Sequence, residues 1–371
     1  MRAHPQARNI GYGLAWLLLA RSAAAQVEPS IDARPSKPST DPEAGLVLEP
    51  TSTTGAWHLN VGFWTQYAQD PIALRFVQTG RQAIVPVAHQ VTSDVVVGIG
   101  LWDRAAIGVD MPFFLTQNGS AVAQDTVVTG GTVPPTGLGD LAISGKVTLA
   151  SNDRSGVRSG FGVAALGSVS LPTGSRQSFL GEGAVTASLR ILAEMALGIG
   201  SIRASVGYDM RTETRTWPAS YLGGVMFGDD VPWAFAVDIR PKALVPAADN
   251  GDRQAWEIGV HGLLPAGPVW PTEKGAASLS PALVGLDDRI AIGKYKDAYV
   301  LVGGEIGLDS AVGVPEVSGD LSIGWAPRSH DRDHDGIPDD VDECPDLPED
   351  IDGVQDQDGC PENDSDSGTT R

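Results

Sequence analysis

The chain has 371 residues, 26 Lys and Arg against 46 Asp and Glu, 45 Gly and two Cys. A net charge of -20 without any basic stripe argues against a nucleic-acid partner, because phosphate binding needs clustered cations. No apolar run approaches the eighteen residues of a membrane helix. Residues 328–371 hold sixteen acids against three Arg, leaving only -7 for the other 327 residues. Such a split marks the C-terminal stretch as a separate module.

At the N-terminus, Arg2 and Arg8 precede an apolar stretch over 10–20 and the small run Ala23-Ala24-Ala25. Residues 1–25 read as a secretory signal peptide cut before Gln26, and the absence of a following Cys argues against a lipoprotein anchor. Residues 26–55, rich in Pro, Ser and Thr, read as an extended linker.

From Trp57 the hydropathy has period two. Trp57, Leu59, Val61, Phe63 and Tyr67 alternate with His58, Asn60, Gly62 and Gln66, and Ile202, Ala204, Val206, Tyr208 and Met210 alternate with Arg203, Ser205, Gly207, Asp209 and Arg211. Comparable segments at 85–101, 107–115, 141–149, 161–171, 185–197, 221–227, 233–239, 256–264, 298–308 and 321–325 bring the total to about twelve strands. Residues 269–296 lack clean alternation and leave room for an extra hairpin, hence fourteen strands.

The predicted fold over 56–327 is all-β, an antiparallel transmembrane barrel with its apolar face on lipid. Its rival is a soluble β-sandwich, in which the same alternation would bury the apolar face. Tight connections at 102–104, 198–200 and 228–232 contrast with long ones at 116–137 and 241–253, the asymmetry of short periplasmic turns and long outer loops. Trp57, Trp102, Trp233, Trp256 and Trp325 lie near strand ends, where an amphipathic ring suits the headgroup layer.

With the apolar face outward, the lumen receives Asp110, Asp140, Lys146, Arg190, Glu194, Arg203, Asp209, Arg211, Asp238, Arg240, Glu257 and Glu305. These charges could line a narrow pore or neutralise one another in a plug. No spacing recommends a catalytic set, and His58 and His261 are isolated, so no enzyme is expected. The pairs at 98–100 and 303–304 put glycines inside strands, where they relieve crowding at bends.

The acidic module, 328–371, opens with the most specific motif in the chain. Asp331, Asp333, Asp335, Asp339 and Asp342, with the carbonyl of Ile337 and a glycine turn at Gly336, have the spacing of a calcium loop. No helical pattern flanks it, so it is not an EF-hand. Asp350, Asp352, Asp356 and Asp358 could supply a second Ca2+ site. Cys344 and Cys360, the only cysteines of an exported chain, are expected to form a disulfide.

The tail resembles thrombospondin type 3 repeats, through Asp331-Arg332-Asp333-His334-Asp335-Gly336-Ile337-Pro338-Asp339 to Cys344-Pro345, and again through Asp358-Gly359-Cys360-Pro361. The preceding region, with Gly137-Leu138-Gly139-Asp140-Leu141 and Leu171-Pro172-Thr173-Gly174, resembles OmpA-family outer-membrane proteins that carry such repeats before a peptidoglycan-binding domain. Only residues 362–371 follow the second Cys-Pro pair, so cell-wall binding is not carried over. The resemblance implies a structural or porin-like barrel in the outer membrane, with linker and tail in the periplasm. Lipid is the expected partner, together with periplasmic or cell-envelope proteins. The competing function is a secreted calcium-dependent adhesion or scaffold protein built on the sandwich.

Overall fold

The computed structural model describes residues 32, 34, 36–75, 82–122, 127–132, 135–151, 159–175, 179–216, 226–241, 253–267, 280–327, 337, 342–344, 346–350 and 359–361. Twelve strands form one antiparallel barrel: β1 (Leu59–Arg75), β2 (Gln82–Leu101), β3 (Ala105–Asn118), β4 (Leu141–Ser151), β5 (Ser159–Leu171), β6 (Thr186–Leu197), β7 (Gly200–Arg211), β8 (Asp229–Ile239), β9 (Gln254–Gly267), β10 (Ala282–Ile292), β11 (Ala298–Gly307) and β12 (Val317–Trp325). Each pairs with its sequence neighbours, and β1 closes the ring against β12 with Val61 opposite Trp325 and Gln69 opposite Val317. Closure leaves no sheet edge, which excludes the two-layer sandwich.

Alternation decides which face is which. On β7, Ile202, Val206, Tyr208 and Met210 are exposed while Ser201, Arg203 and Ser205 are buried. On β1, Leu59, Val61, Phe63 and Tyr67 point out while Asn60, Trp64 and Gln66 point in. A barrel that exposes its Leu, Ile, Val and Phe and buries its Asp, Glu and Arg is the reverse of a soluble core, and the outer band suits a hydrocarbon phase. Trp57, Trp102, Trp256 and Trp325 lie towards the end where β1 begins and β12 ends and are all more than two-fifths exposed, placing indoles at one rim of the band.

Twelve strands are present, although the sequence reading reaches that number through two opposite errors. Residues 282–292 form a full barrel strand inside the stretch that lacks alternation. There Asp288 lies outside, accepting from Gln254 Nε2 at 2.6 Å opposite Trp256, while Arg289 stacks on Tyr299 4.6 Å from its ring centroid. Charges of consecutive residues on both faces erase the period-two signal. Conversely, of the strand expected at 221–227 only Met226 and Phe227 are described, and they pair with Thr216 and Arg215 in a short ribbon apart from the barrel ring.

The connections at 228–232 and 241–253 then exchange roles. Asp229–Ile239 is one strand, so most of the first connection is wall, and the second joins β8 to β9 at the rim where β1 begins and β12 ends. A second ribbon, Ser120–Val122 with Val127–Thr132, and a two-residue strand at Gly137–Leu138 extend the β3–β4 connection at the opposite rim.

Candidate functional site

The barrel is filled by its own N-terminal segment. Residues 36–55, read from sequence as a free linker on the periplasmic side, run inside the lumen, and their partners come from strands around the whole ring. Ser36 Oγ donates to Glu305 on β11 at 2.7 Å. The carbonyl of Thr40 accepts from Asn60 on β1 at 2.9 Å. The backbone N–H of Leu46 donates to Asp287 on β10, and that of Val47 to Glu257 on β9, each at 2.8 Å. Thr51 gives Glu194 on β6 both its N–H, at 2.9 Å, and its hydroxyl, at 3.0 Å. A segment with no strand or helix of its own must satisfy its backbone polar groups elsewhere. Here the wall carboxylates accept them, and a composition that excludes a packed core is what suits a polar lumen.

Two apolar contacts anchor the segment. Leu46 is buried with Trp64 and Leu301, and Leu48 with Ala164, Leu192 and Ala236. Close approach also explains two glycines. A Cβ at Gly108 would collide with the Thr40 side chain, and one at Gly100 with the carbonyl of Gly55. The glycines at 98 and 100 therefore make room for the N-terminal segment, beyond any relief of strand crowding.

Three buried cations tie segment to wall. Lys146 on β4 bonds Asp41, lies 3.0 Å from Glu49 and donates to the carbonyl of Pro50 at 3.1 Å. Arg203 on β7 pairs with Glu194 at 3.2 Å and with Glu257 at 3.6 Å, lies 4.0 Å from Asp238, and donates to the carbonyl of Leu48 at 3.4 Å. In the third tie the cation belongs to the segment: Arg34 donates to Asp94 on β2 and to its neighbour Asp32, and lies 3.9 Å from Asp110 on β3.

The remaining charges expected in the lumen occupy its rims. Arg211 pairs with Glu182 and Asp230. Arg190 lies 3.8 Å from Asp209 and is partly exposed. Arg240 borders a cavity of about 230 Å³ beside Glu43, Thr51 and Glu194. A second cavity of about 400 Å³, at the rim where β1 begins and β12 ends, is lined by Asp41, Pro42 and Thr54 of the segment and by His58 and Ala326. At the other rim Asp140 accepts the N–H groups of Gly174 and Glu182, each at 2.8 Å, and Asp32 bridges to Leu180. Burial pushes the Asp140 carboxyl above its ordinary range against the pull of those two donors.

Several lumenal residues escape the sequence reading. Asp94, Asp287 and Asp320 are buried on inward faces. Asp320 accepts from Gln66 at 2.8 Å and Trp64 at 3.2 Å. Alternation carried through 85–101 would find Asp94, and a start one residue earlier on the last strand would find Asp320. His261, read as isolated, lies 2.6 Å from Glu305.

Of the residues expected from sequence to bind calcium, Asp331, Asp333, Asp335, Asp339, Asp352, Asp356 and Asp358 lie outside the described residues. Asp342 is buried, and its Oδ1 accepts the N–H of Cys344 at 2.7 Å. Asp350 donates its N–H to Glu349 at 3.0 Å. Cys344 and Cys360 form a disulfide, and no free cysteine remains.

No protein-family model and no curated protein matches the sequence. Among solved structures, an outer membrane channel from Pseudomonas putida F1 matches 75% of this chain and 99% of its own at 11% identity, with a TM-score of 0.54. The fold is that of an outer-membrane β-barrel. The NanC porin (9% identity, 73% of this chain and 99% of that one, TM-score 0.43) and the translocator domain of the autotransporter NalP from Neisseria meningitidis (9%, 73% and 89%, TM-score 0.39) are more distant in shape.

Proposed function

We propose that the protein is a non-enzymatic, porin-like channel of the outer membrane, closed by its own N-terminal segment and carrying a calcium-binding tail in the periplasm. The observation that carries this reading is a closed, lipid-compatible barrel whose polar lumen is filled by a segment of the same chain, held through hydrogen bonds and ion pairs and not through a continuous apolar core. Such contacts are individually exchangeable with water. A purely structural barrel would be served equally by side chains filling the interior, as in eight-stranded barrels. Short turns at 102–104 and 198–199 lie at the rim where β1 begins and β12 ends, and short turns in bacterial barrels face the periplasm. Planar-bilayer recordings of the full chain decide the reading. A conductance that grows as the segment is loosened supports it, and silence in the parent and in every loosened variant leaves a structural barrel.

The tail reading rests on the spacing from Asp331 to Asp342 and on the resemblance to thrombospondin type 3 repeats. The described part of the tail fits a hard cation: Oδ2 of the buried Asp342 has no hydrogen-bond partner among the described residues, and Gly359, at φ +77°, lets the chain approach that carboxylate where a Cβ would collide. Asp331, Asp333, Asp335, Asp339 and Asp342, with the Ile337 carbonyl, would hold the first ion, and Asp350, Asp352, Asp356 and Asp358 a second. Bound calcium would neutralise the carboxylates and order the tail as a spacer for contacts with cell-envelope proteins.

Calorimetry on the folded full chain should show calcium binding with Kd on the order of 10⁻⁴ to 10⁻³ M. Asp335→Ala should weaken it, and chelation should speed proteolysis within the tail while sparing the barrel. No calcium heat at millimolar concentration, or an unchanged titration in the variant, contradicts the assignment.

A further inference from the structure

The wall around the N-terminal segment carries its charges unevenly. Asp94, Asp110, Glu257, Asp287, Glu305 and Asp320 lie on β2, β3 and β9–β12, with Arg289 on the same inward face of β10, whereas across the lumen on β4–β8 the buried cations Lys146 and Arg203 stand among the acids Glu194, Asp230 and Asp238. On the acidic side the segment presents Arg34, whose guanidinium is held by Asp94 with Asp110 3.9 Å away, all three side chains being at least nine-tenths buried. Oδ1 of Asp110 and Oδ2 of Asp320 have no hydrogen-bond partner among the described residues, so acceptor capacity is left over even with the segment in place.

We infer that the unblocked lumen selects cations over anions, with Asp94 and Asp110 forming a binding site for small solutes that carry a guanidinium or ammonium group. The inference rests on the channel reading above. Its physical basis is that Arg34 is a cation already bound there, tethered through the backbone. A guanidinium presents a planar fork of donors that matches carboxylates, and a free one can make the same contacts. When the segment withdraws, Arg34 leaves Asp94 and Asp110 facing water, while Asp41 and Glu49 leave with it and free Lys146. Wall acids then outnumber wall bases. Asp and Glu lining a pore favour cation passage, and low-dielectric walls focus their field along it.

The test uses the folded full chain, checked by heat-dependent gel mobility, in planar bilayers under a KCl gradient. Arg34→Gln should raise the open fraction, with a K+ over Cl− permeability ratio on the order of ten. Guanidinium chloride should reduce that K+ current in a concentration-dependent way. Adding Asp94→Asn and Asp110→Asn should bring the ratio towards one and remove the block; should that triple variant not fold, Asp94→Asn with Arg34→Gln should weaken both effects. A conducting Arg34→Gln protein with a ratio of one or below, or a guanidinium block indifferent to the Asn changes, overturns the cation site and leaves the channel standing. Silence in the parent, in Arg34→Gln and in the other segment-loosening variants overturns the channel reading and this inference together.

Discussion

Replacing Lys146 with Met should open the barrel without unfolding it. The ammonium is the counter-charge for both Asp41 and Glu49, and all three side chains are about nine-tenths buried or more. Met keeps the length of the stem and removes the charge, so two carboxylates remain in the lumen without a cation beside them. Breaking a buried ion pair from one side costs about 3 to 5 kcal/mol. That cost falls on docking of the segment, because the carboxylates reach water if residues 41–49 withdraw. At about 1.4 kcal/mol per tenfold, the undocked population should rise by more than a hundredfold. Bilayer conductance should increase accordingly, while heat-dependent gel mobility should show an intact barrel. An unchanged conductance together with an intact barrel would mean that the Lys146 ties do not hold the lumen closed.

The wall itself should respond to charge on one face far more than on the other. Val206 is 55% exposed on the outer surface of β7, mid-strand between Ile202 and Met210. Val206→Arg places a guanidinium against lipid and should cost roughly 2 to 4 kcal/mol of barrel stability in liposome refolding. Its neighbour Ser205 faces inward opposite Leu192 and Ala234, beside the pocket that holds Leu48. Ser205→Arg should therefore crowd the segment and raise conductance, with refolding yield close to the parent. Equal losses of refolding at the two positions would contradict the assignment of faces.

The two substitutions also show how unevenly the sequence reveals the molecule. Alternation alone separates Val206 from Ser205, because a wall strand between lipid and a polar interior has no other way to satisfy both sides. It fails at 282–292, where Asp287, Asp288 and Arg289 put charge on both faces. It misleads at 226–227, where Met226 and Phe227 pair with Thr216 and Arg215 in a ribbon apart from the ring. The lumenal acids Asp110, Glu194, Asp238, Glu257 and Glu305 are legible because each interrupts an apolar strand on the inward parity.

Their partners are a different matter. Residues 36–55 have no periodicity, and a segment that donates backbone N–H groups to Glu257 and Asp287 looks from composition like any Pro- and Ser-rich linker. What hints at its place is Leu46-Val47-Leu48, a short apolar cluster in polar surroundings. Leu46 and Leu48 are the anchors that nest in the wall. The surplus of lumenal carboxylates over wall cations is a second hint, since buried charge requires partners from somewhere in the chain.

The most direct test of closure by the N-terminal segment is a reversible lock between segment and wall. Thr40 Oγ1 and Ser144 Oγ lie 3.3 Å apart, so cysteines at both positions should form a bridge when oxidised. The experiment belongs in a background with Cys344 and Cys360 changed to Ser and Lys146 to Met, so that the only disulfide is the lock and the segment is otherwise loosened. Single-channel recording should show a closed barrel when oxidised and an open one after reductant, with return on reoxidation. Equal conductance in the two redox states would contradict closure by this segment.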